Sequence, residues 1–206
     1  MSLIALGVSG GISAYKSVEV VRQLQQQGHE VVAVMTANAQ KFIGPLTFEA
    51  ITRRRVLVDQ YEPGVNTDID HIALASSIDL LLVVPATANV IGKFAHGIAD
   101  DFLSSLFLAT KAPILVAPAM NTNMYENIAV QSNCSVLAER GVSFIDPDDG
   151  YLACGWVGKG RLAEPDVIVS AVGGCLRLGR DWTGRVVLVT AGPTYEDVDP
   201  VRYVGN

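Results

Sequence analysis

Short apolar runs alternate along the chain with longer segments in which apolar residues recur at helical spacing. The apolar runs predict buried strands, and the longer segments predict helices. The strands are expected at Leu3–Val8, Glu30–Met35, Leu80–Val84, Ile114–Ala117, Val142–Phe144 and Val186–Thr190. The helices are expected at Ile12–Gln27, Thr87–Ala95, Asp101–Thr110, Ile128–Arg140 and Pro165–Leu178. Continuous apolar strands separated by helices are typical of a parallel sheet covered on both faces, so we predict a three-layer α/β fold.

Residues 146–161 interrupt this alternation. They are rich in glycine, yet they also carry Tyr151, Cys154, Trp156 and Arg161. Loops of this length inside a compact domain are often functional lids. We therefore expect a loop or flap in this part of the chain.

The composition narrows the class of protein. Half of the 206 residues are hydrophobic, 17% are charged and the net charge is −6, which favours a packed domain over a disordered chain. Arg53–Arg55 is the only basic triplet, so a nucleic-acid surface is not expected. No apolar run is longer than about five residues, as in Leu80–Val84, which is far too short to span a membrane, and the N-terminus lacks signal-peptide features.

The chain has three cysteines, Cys134, Cys154 and Cys175, and no two of them form a C-x-x-C pair. An odd number of unpaired cysteines indicates reduced thiols, which are typical of a cytoplasmic protein. We expect no metal site.

A glycine-rich loop, Gly7–Ile12, joins the first predicted strand to the first predicted helix. Its glycines let the backbone approach a ligand, and the start of a helix favours a phosphate. Tight packing alone would also account for the glycines. A dinucleotide site is not expected, because the G-x-G-x-x-G spacing is absent and the second strand is followed by Thr36 where an acidic residue would be needed. The loop favours a mononucleotide such as FMN, or another phosphorylated ligand.

Two further loops carry polar side chains at the carboxyl end of a predicted strand. Thr87 and Asn89 follow the third strand, and Asn121 follows the fourth, between Met120 and Met124. Open α/β sheets bind ligands at this edge, so amide and thioether groups there suit a planar ligand. Thr87 and Asn121 are also good helix N-caps, which is the structural alternative for each residue.

Six motifs occur in the order found in the homo-oligomeric flavin-containing cysteine decarboxylases, and the chain resembles this family over about residues 3–178. The motifs are Gly7–Ile12, Asp70–Ile72, Pro85–Asn89, Gly97–Asp101, Pro118–Met124 and Ala153–Arg161. The resemblance implies a Rossmann-like, flavodoxin-like fold and FMN as the cofactor. Within the family, the chain is similar to enzymes that decarboxylate 4′-phospho-N-pantothenoyl-L-cysteine to 4′-phosphopantetheine in coenzyme A biosynthesis.

The end of the chain resembles a different domain. From Gly184 to Arg202 it looks like the beginning of a phosphopantothenate–cysteine ligase domain. We therefore expect residues 1–180 to form the FMN-binding decarboxylase domain. Residues 181–206 are expected to be a linker and the start of a truncated ligase domain, so that ligase activity is expected only in a full-length protein.

The resemblance also assigns residues to the site. The flavin would contact Ser9, Gly10, Gly11, Ile12, Thr36, Thr87, Ala88, Asn89 and Ala119. The catalytic positions are matched by His71, Asn121 and Cys154, and the other substrate-binding positions by Met124, Ala153, Gly155 and Arg161. In this family the site is completed at the interface of a homotrimer, and the bifunctional members assemble into dodecamers.

The chemistry of the family explains these residue types. Decarboxylation of an ordinary cysteine carboxylate would leave an unstabilised carbanion, whereas oxidation by FMN gives a thioaldehyde from which carbon dioxide leaves into a conjugated enethiolate. The resemblance implies that His71 assists the oxidation, Asn121 holds the carboxylate and Cys154 returns a proton. The structural alternative for His71 is a surface histidine at the start of a helix, and the structural alternative for Cys154 is a buried structural thiol.

Other functions fit the same fold. They are a flavin prenyltransferase, a peptidyl-cysteine decarboxylase and a non-catalytic flavin-fold regulatory protein. The regulatory protein would be expected to lack His71, Asn121 or Cys154, and all three are present. The Cys154 flap and the ligase-like tail favour the pantothenate substrate over the other two enzymes.

Overall fold

The computed structural model describes residues 1–61, 70–153, 155–177, 195–199 and 201–205. The chain divides into two compact units, Met1–Leu176 and Arg177–Asn206. In the second unit the described residues form an antiparallel pair of strands, Tyr195–Asp199 and Arg202–Gly205. The strand predicted at Val186–Thr190 lies outside the described residues, and the predicted domain boundary after residue 180 stays a prediction.

A five-stranded parallel sheet forms the centre of the first unit. Its strands are β1 (Leu3–Val8), β2 (Glu30–Met35), β3 (Leu80–Ala86), β4 (Ile114–Pro118) and β5 (Ser143–Phe144). Their order across the sheet is β2-β1-β3-β4-β5, and every neighbouring pair is parallel. This is the flavodoxin-like order, so the predicted fold is confirmed.

Helices cover both faces of this sheet. They are α1 (Lys16–Gln26), α2 (Pro45–Thr52), α3 (Asp70–Ser77), α4 (Ala88–His96), α5 (Phe102–Ala109), α6 (Thr122–Glu126), α7 (Ile128–Glu139) and α8 (Pro165–Arg177). Short 3₁₀ helices, Ile12–Tyr15 and Ala39–Lys41, precede α1 and α2.

The core consists of two layers, one on each face of the sheet, because successive residues of a strand point to opposite faces. Ile4 and Leu6 of β1 pack with apolar residues of α1, α2 and α8, whereas Ala5 packs with residues of α3, α4, α5 and α7. All seven residues of β3 are buried. Burial of this kind on both faces explains why the strands are recognisable as apolar runs.

The predicted elements differ from the structure mainly at their ends. The first predicted helix begins as a 3₁₀ turn and becomes α-helical only at Lys16, and the third strand continues through a cis Val84–Pro85 bond to Ala86. Helix α2 was not predicted, and α3 and α6 were anticipated only in the structural alternatives for His71 and Asn121.

The predicted flap is an antiparallel hairpin of two further strands. They are β6 (Asp148–Tyr151) and β7 (Val157–Arg161). Across the described residues, no helix is long and apolar enough to cross a membrane.

Candidate functional site

A cavity of about 440 Å³ opens at the carboxyl ends of β1, β3 and β4. Chain connections leave β1 and β3 towards opposite sides of the sheet, and such a switch point is where open α/β sheets bind ligands. The volume lies within the range of about 300–1,000 Å³ that is usual for small-molecule sites. The cavity is lined by Gly10, Gly11, Ile12, Ser13, Tyr15, Lys16, Thr87, Ala88, Ala119, Met120, Asn121, Met124, Tyr151, Leu152, Ala153, Gly160, Arg161 and Leu162.

The loop after β1 forms one wall of the cavity through its backbone. A Cβ atom on Gly10 would lie 2.5 Å from Asn38 Cβ, so only glycine fits there. Ser9 is buried behind the wall, where its hydroxyl donates to the Pro85 carbonyl at 2.7 Å and accepts from Thr87 N–H at 3.0 Å. Ser9 therefore ties the loop after β1 to the loop after β3. Thr36 is also buried, and its Oγ1 accepts from the N–H of Ala39 at 3.2 Å.

The loop after β3 presents small side chains to the cavity. Thr87 caps α4, with its Oγ1 accepting from Val90 N–H at 3.4 Å, and it also lines the cavity. Ala88 follows it on the same wall, whereas Asn89 is exposed and does not line the cavity. The structural and ligand-facing interpretations of Thr87 are therefore compatible.

The loop after β4 forms the floor of the cavity. Ala119 N–H donates to Ala86 O at 3.0 Å, which continues the pairing of β3 and β4 beyond the strands. Asn121 caps α6, because its Oδ1 accepts from Asn123 N–H at 2.9 Å, and it also lines the cavity. Met124 lies one turn further on and is half exposed at the cavity mouth.

The β6–β7 hairpin covers the cavity from the other side and contacts the floor closely. Met120 N–H donates to Gly160 O at 2.9 Å, and a Cβ atom on Gly160 would lie 2.3 Å from Met120 O. A Cβ atom on Gly158 would likewise lie 2.7 Å from Thr122 Oγ1. These two glycines are therefore required for the hairpin to lie against the floor.

A charged side chain strengthens this contact. Lys159 Nζ of β7 lies 5.8 Å from the centre of the Tyr125 ring, within the range of a cation–π interaction. The hairpin thus carries Ala153 and Arg161 into the cavity wall. Gly155, at φ +86°, is exposed and does not line the cavity, and Cys154 lies outside the described residues.

Two cationic side chains line the cavity, and both contact one carboxylate. Lys16 Nζ lies 3.0 Å from Glu164 Oε2, and Arg161 Nη2 pairs with Glu164 Oε1. Among the described residues that line the cavity, Lys16 and Arg161 are the only ones with charged side chains. An anionic group of a ligand would therefore be attracted to this end of the cavity.

His71 does not line the cavity formed by its own chain. It lies near the start of α3, and its ring meets the Phe102 ring edge-on with the centroids 6.1 Å apart. Its Nδ1 atom is buried and has no hydrogen-bond partner within the described part of the chain. A buried unpaired nitrogen is uncommon and indicates a functional group or a missing partner.

An ion-pair cluster holds α4 and α5 together next to this histidine. Lys93 Nζ contacts Asp100 Oδ1 at 2.6 Å and Asp101 Oδ2 at 3.0 Å. Burial acts against both charges, yet Ser104 and Lys93 hold the pKa of Asp101 below its ordinary value, and the two carboxylates raise the pKa of Lys93. The cluster fixes the start of α5, where Phe102 contacts His71.

The thiols of Cys134 and Cys175 show no sign of reactivity. Burial raises the pKa of both, so they remain protonated at neutral pH. No cluster of metal-binding side chains occurs in the part of the chain that the structure describes.

Ten of the predicted site residues lie around the cavity: Gly10, Gly11, Ile12, Thr87, Ala88, Ala119, Asn121, Met124, Ala153 and Arg161. Met120 also lines the cavity, as its place beside Asn121 suggested, and Tyr151 and Gly160 belong to the predicted flap. Sequence reasoning missed the other lining residues, which are Ser13, Tyr15, Lys16, Leu152 and Leu162. Lys16 could have been found, because it follows Ile12 by one helical turn. Leu152 could have been found from its place next to Ala153.

Comparisons with known proteins agree with this architecture. The model of the family described as Flavoprotein matches residues 2–177. The model described as DNA/pantothenate metabolism flavoprotein C-terminal domain matches residues 182–206. The chain is 47% identical over 205 residues to the coenzyme A biosynthesis bifunctional protein CoaBC of Bacillus subtilis (strain 168), covering 98% of this chain and 50% of that protein. It is 43% identical over 203 residues to the CoaBC protein of Escherichia coli (strain K12), again covering 98% of this chain and 50% of that protein. The chain thus spans about half the length of these curated relatives.

Two solved structures with the same fold are those of decarboxylases. The FMN-dependent cysteine decarboxylase SpaF superposes with a TM-score of 0.77 at 33% identity, covering 88% of this chain and 98% of that one. A cysteine-to-serine mutant of PPC decarboxylase, complexed with pantothenoylaminoethenethiol, superposes with a TM-score of 0.75 at 30% identity, covering 84% and 96%.

Proposed function

Because this chain belongs to the flavoprotein family, we propose that it is an FMN-dependent decarboxylase that converts 4′-phospho-N-pantothenoyl-L-cysteine to 4′-phosphopantetheine and carbon dioxide in coenzyme A biosynthesis. The observation that carries the proposal is the cavity at the switch point of the sheet, where motif residues from three strand ends and the hairpin meet. Relatives with 43–47% identity over nearly the whole chain carry the name of a coenzyme A biosynthesis protein, which supports this substrate.

The residues around the cavity fit FMN. At Gly10, Gly11, Ala88 and Ala119 the walls carry no side chain larger than a methyl group, so a planar ring can approach the backbone closely there. A Cβ atom on Gly11 would lie only 3.7 Å from Thr87 Cγ2, so a larger side chain at position 11 would narrow the space between the two loops. Ile12 lines the same wall. Ser9, Thr36 and Asn89 do not line the cavity, and Ser9 supports the site by fixing the two loops.

FMN, when bound, supplies the reversible oxidation of the cysteine moiety that allows its carboxylate to leave. In the proposed mechanism the Asn121 amide orients the substrate carboxylate, and Met124 packs against the substrate at the cavity mouth. Cys154 returns a proton to the substrate-derived enethiolate, and Ala153 of the same segment lines the cavity and helps to exclude water. His71 assists removal of the substrate proton in the oxidation step.

The proposed enzyme is a homotrimer, and its trimers assemble into a dodecamer in the cytoplasm. Two observations support a site that is shared between copies. His71 is absent from the cavity of its own chain, and its buried Nδ1 lacks a partner among the described residues. Large apolar side chains that line the cavity are exposed, including Ile12 and Tyr15. Ligase activity is proposed only for a longer protein that continues the domain matched at residues 182–206.

A direct test is to purify the protein, record its visible spectrum and measure carbon dioxide release from the proposed substrate. We expect the absorption bands of oxidised flavin, or their appearance after reconstitution with FMN, and one carbon dioxide for each 4′-phosphopantetheine formed. A colourless protein that cannot be reconstituted with FMN would contradict the proposal.

The superposition on SpaF, an FMN-dependent cysteine decarboxylase, leaves a decarboxylase of another cysteine-containing substrate, such as a peptidyl-cysteine, as the alternative. The two candidates differ in the substrate that they accept. Peptides with a C-terminal cysteine should not be decarboxylated by this protein at a rate comparable to that of 4′-phosphopantothenoylcysteine. The opposite preference would favour the peptide enzyme.

A further inference from the structure

The Lys16–Glu164–Arg161 cluster is the one charged feature of the cavity wall that the proposed mechanism leaves without a role. Lys16 lies at the start of α1, Arg161 at the end of β7 and Glu164 just before α8. The Lys16 side chain is only 15% exposed, so it is held in place and not free in solvent. The start of α1 is therefore joined to the β7–α8 connection, which lies 148 residues later in the sequence, at one end of the cavity.

The cluster carries an excess of positive charge. One carboxylate is shared between two cations, which leaves a net charge of about +1 beside a largely apolar cavity. The carboxylate also holds the two cations near each other, in the arrangement that suits a group with several acceptor oxygens.

The reaction chemistry decides which anion suits this position. The substrate carboxylate departs as neutral carbon dioxide, so a cation paired with it would stabilise the ground state more than the transition state and slow the reaction. A phosphate keeps its charge throughout the reaction. A cation pair can bind a phosphate tightly without opposing decarboxylation, while the neutral Asn121 amide is suited to the carboxylate.

We propose that Lys16 and Arg161, held by Glu164, bind the terminal phosphate of the substrate and select phosphorylated over unphosphorylated pantothenoylcysteine. This inference rests on the proposed function. The flavin phosphate is the competing anion, and the experiment below separates the two.

The test compares Lys16→Met and Arg161→Met with the wild-type protein on 4′-phosphopantothenoylcysteine and on pantothenoylcysteine. Each variant should lose about 10- to 100-fold in kcat/KM on the phosphorylated substrate, mostly through KM, because a charge-assisted hydrogen bond is removed. Activity on pantothenoylcysteine should fall at least tenfold less than activity on the phosphorylated substrate, and the content of bound flavin should match that of the wild type. Lys16→Arg keeps the charge and should recover most of the discrimination.

Arg22→Met is the matched control, because Arg22 is an exposed cation on the same helix and does not line the cavity. It should leave both substrates and flavin content unaffected. An equal loss on both substrates in the Lys16 and Arg161 variants would overturn the proposal. Loss of bound flavin would also overturn it, because the cations would then hold the flavin phosphate.

Calorimetry with 4′-phosphopantetheine and pantetheine separates this inference from the proposed function. Wild-type protein should bind the phosphorylated compound more tightly, and Lys16→Met should abolish the difference. If this binding pattern is found without any decarboxylation, the proposed reaction fails and the phosphate site stands. Equal binding of the two compounds by wild-type protein would contradict the phosphate site.

Discussion

Gly160→Ala is expected to detach the β6–β7 hairpin from the cavity floor. The new Cβ atom would lie 2.3 Å from Met120 O, so the strand must move by about 1 Å to restore an ordinary contact. The backbone at Gly160 has φ +139°, where a side chain adds about 1–3 kcal/mol of strain. Overpacking adds about 1–3 kcal/mol if the hairpin stays in place.

Detaching the hairpin costs less free energy than the backbone strain and overpacking of a hairpin that stays in place. It breaks the hydrogen bond from Met120 N–H to Gly160 O, worth about 1 kcal/mol, and the cation–π contact of Lys159 with Tyr125, worth about 0.5–1 kcal/mol. The variant should therefore keep most of its global stability and lift the hairpin. Because an active-site misplacement of about 1 Å can lower the rate by about 100-fold, we expect a loss of that order in kcat.

The assay has two parts, steady-state decarboxylation and limited digestion with trypsin. Trypsin cleaves after Lys159 and Arg161 of the hairpin, so lifting the hairpin should accelerate cleavage there. Gly174→Ala is the control, since no atom lies within 4 Å of its new Cβ and it should leave both readouts unchanged. A Gly160→Ala variant with wild-type turnover and wild-type resistance to trypsin would refute the reasoning.

Three further predictions concern the catalytic residues and the ion-pair cluster. His71→Asn should reduce carbon dioxide release to background and leave flavin-loaded yellow protein; release at more than about one tenth of the wild-type rate would contradict the role of His71. Cys154→Ser should still release carbon dioxide but accumulate the oxidised enethiol product, and normal 4′-phosphopantetheine formation at the wild-type rate would show that the thiol has no such role. Asp101→Asn should destabilise the fold by about 1–3 kcal/mol at pH 7, because the hydrogen bonds to Ser104 and the pair with Lys93 are weakened. The folded-state pKa of Asp101 is lowered from 3.8, so its contribution is present above about pH 4 and lost as the pH falls through the folded value; urea unfolding should show the variant and wild type converging in acid, and a constant difference would contradict this.

The strands could be predicted from the sequence because the sheet is buried on both faces. Each strand is then a continuous apolar run, and β1 and β2 begin and end at the predicted residues. Helix α2 was missed because its eight residues give no clear helical period and no side chain caps its start, whereas α5, of the same length, is marked by its N-cap Asp101. The hairpin strands were missed because they carry glycines where strands usually carry β-branched residues.

The glycines of the hairpin lie against a part of the chain that is distant in sequence, which the local sequence pattern does not reveal. Glycine inside a strand often marks a close approach of another backbone, and for Gly160 that backbone is Met120. The contact joins parts of the chain that are distant in sequence, so no local pattern reveals it.

In the candidate site, too, residues marked by a local sequence pattern could be predicted, and residues whose role depends on a distant part of the chain could not. Asn121 and Thr87 were recognisable as polar residues after buried strands, and both lie on the cavity. The role of Lys16 depends on Glu164, 148 residues later, and that pairing exists only in the folded chain. The position of His71 away from its own cavity could not be predicted either, since it follows from the path of α3 along α5.

The central claim, that the protein releases carbon dioxide from 4′-phosphopantothenoylcysteine with the help of FMN, is tested most directly with a substrate labelled in the cysteine carboxyl carbon. We predict that flavin-loaded protein releases labelled carbon dioxide in a one-to-one ratio with 4′-phosphopantetheine, and that protein stripped of FMN releases none until FMN is restored. Flavin-loaded protein that releases no more label than His71→Asn, or release that is independent of FMN, would contradict the claim.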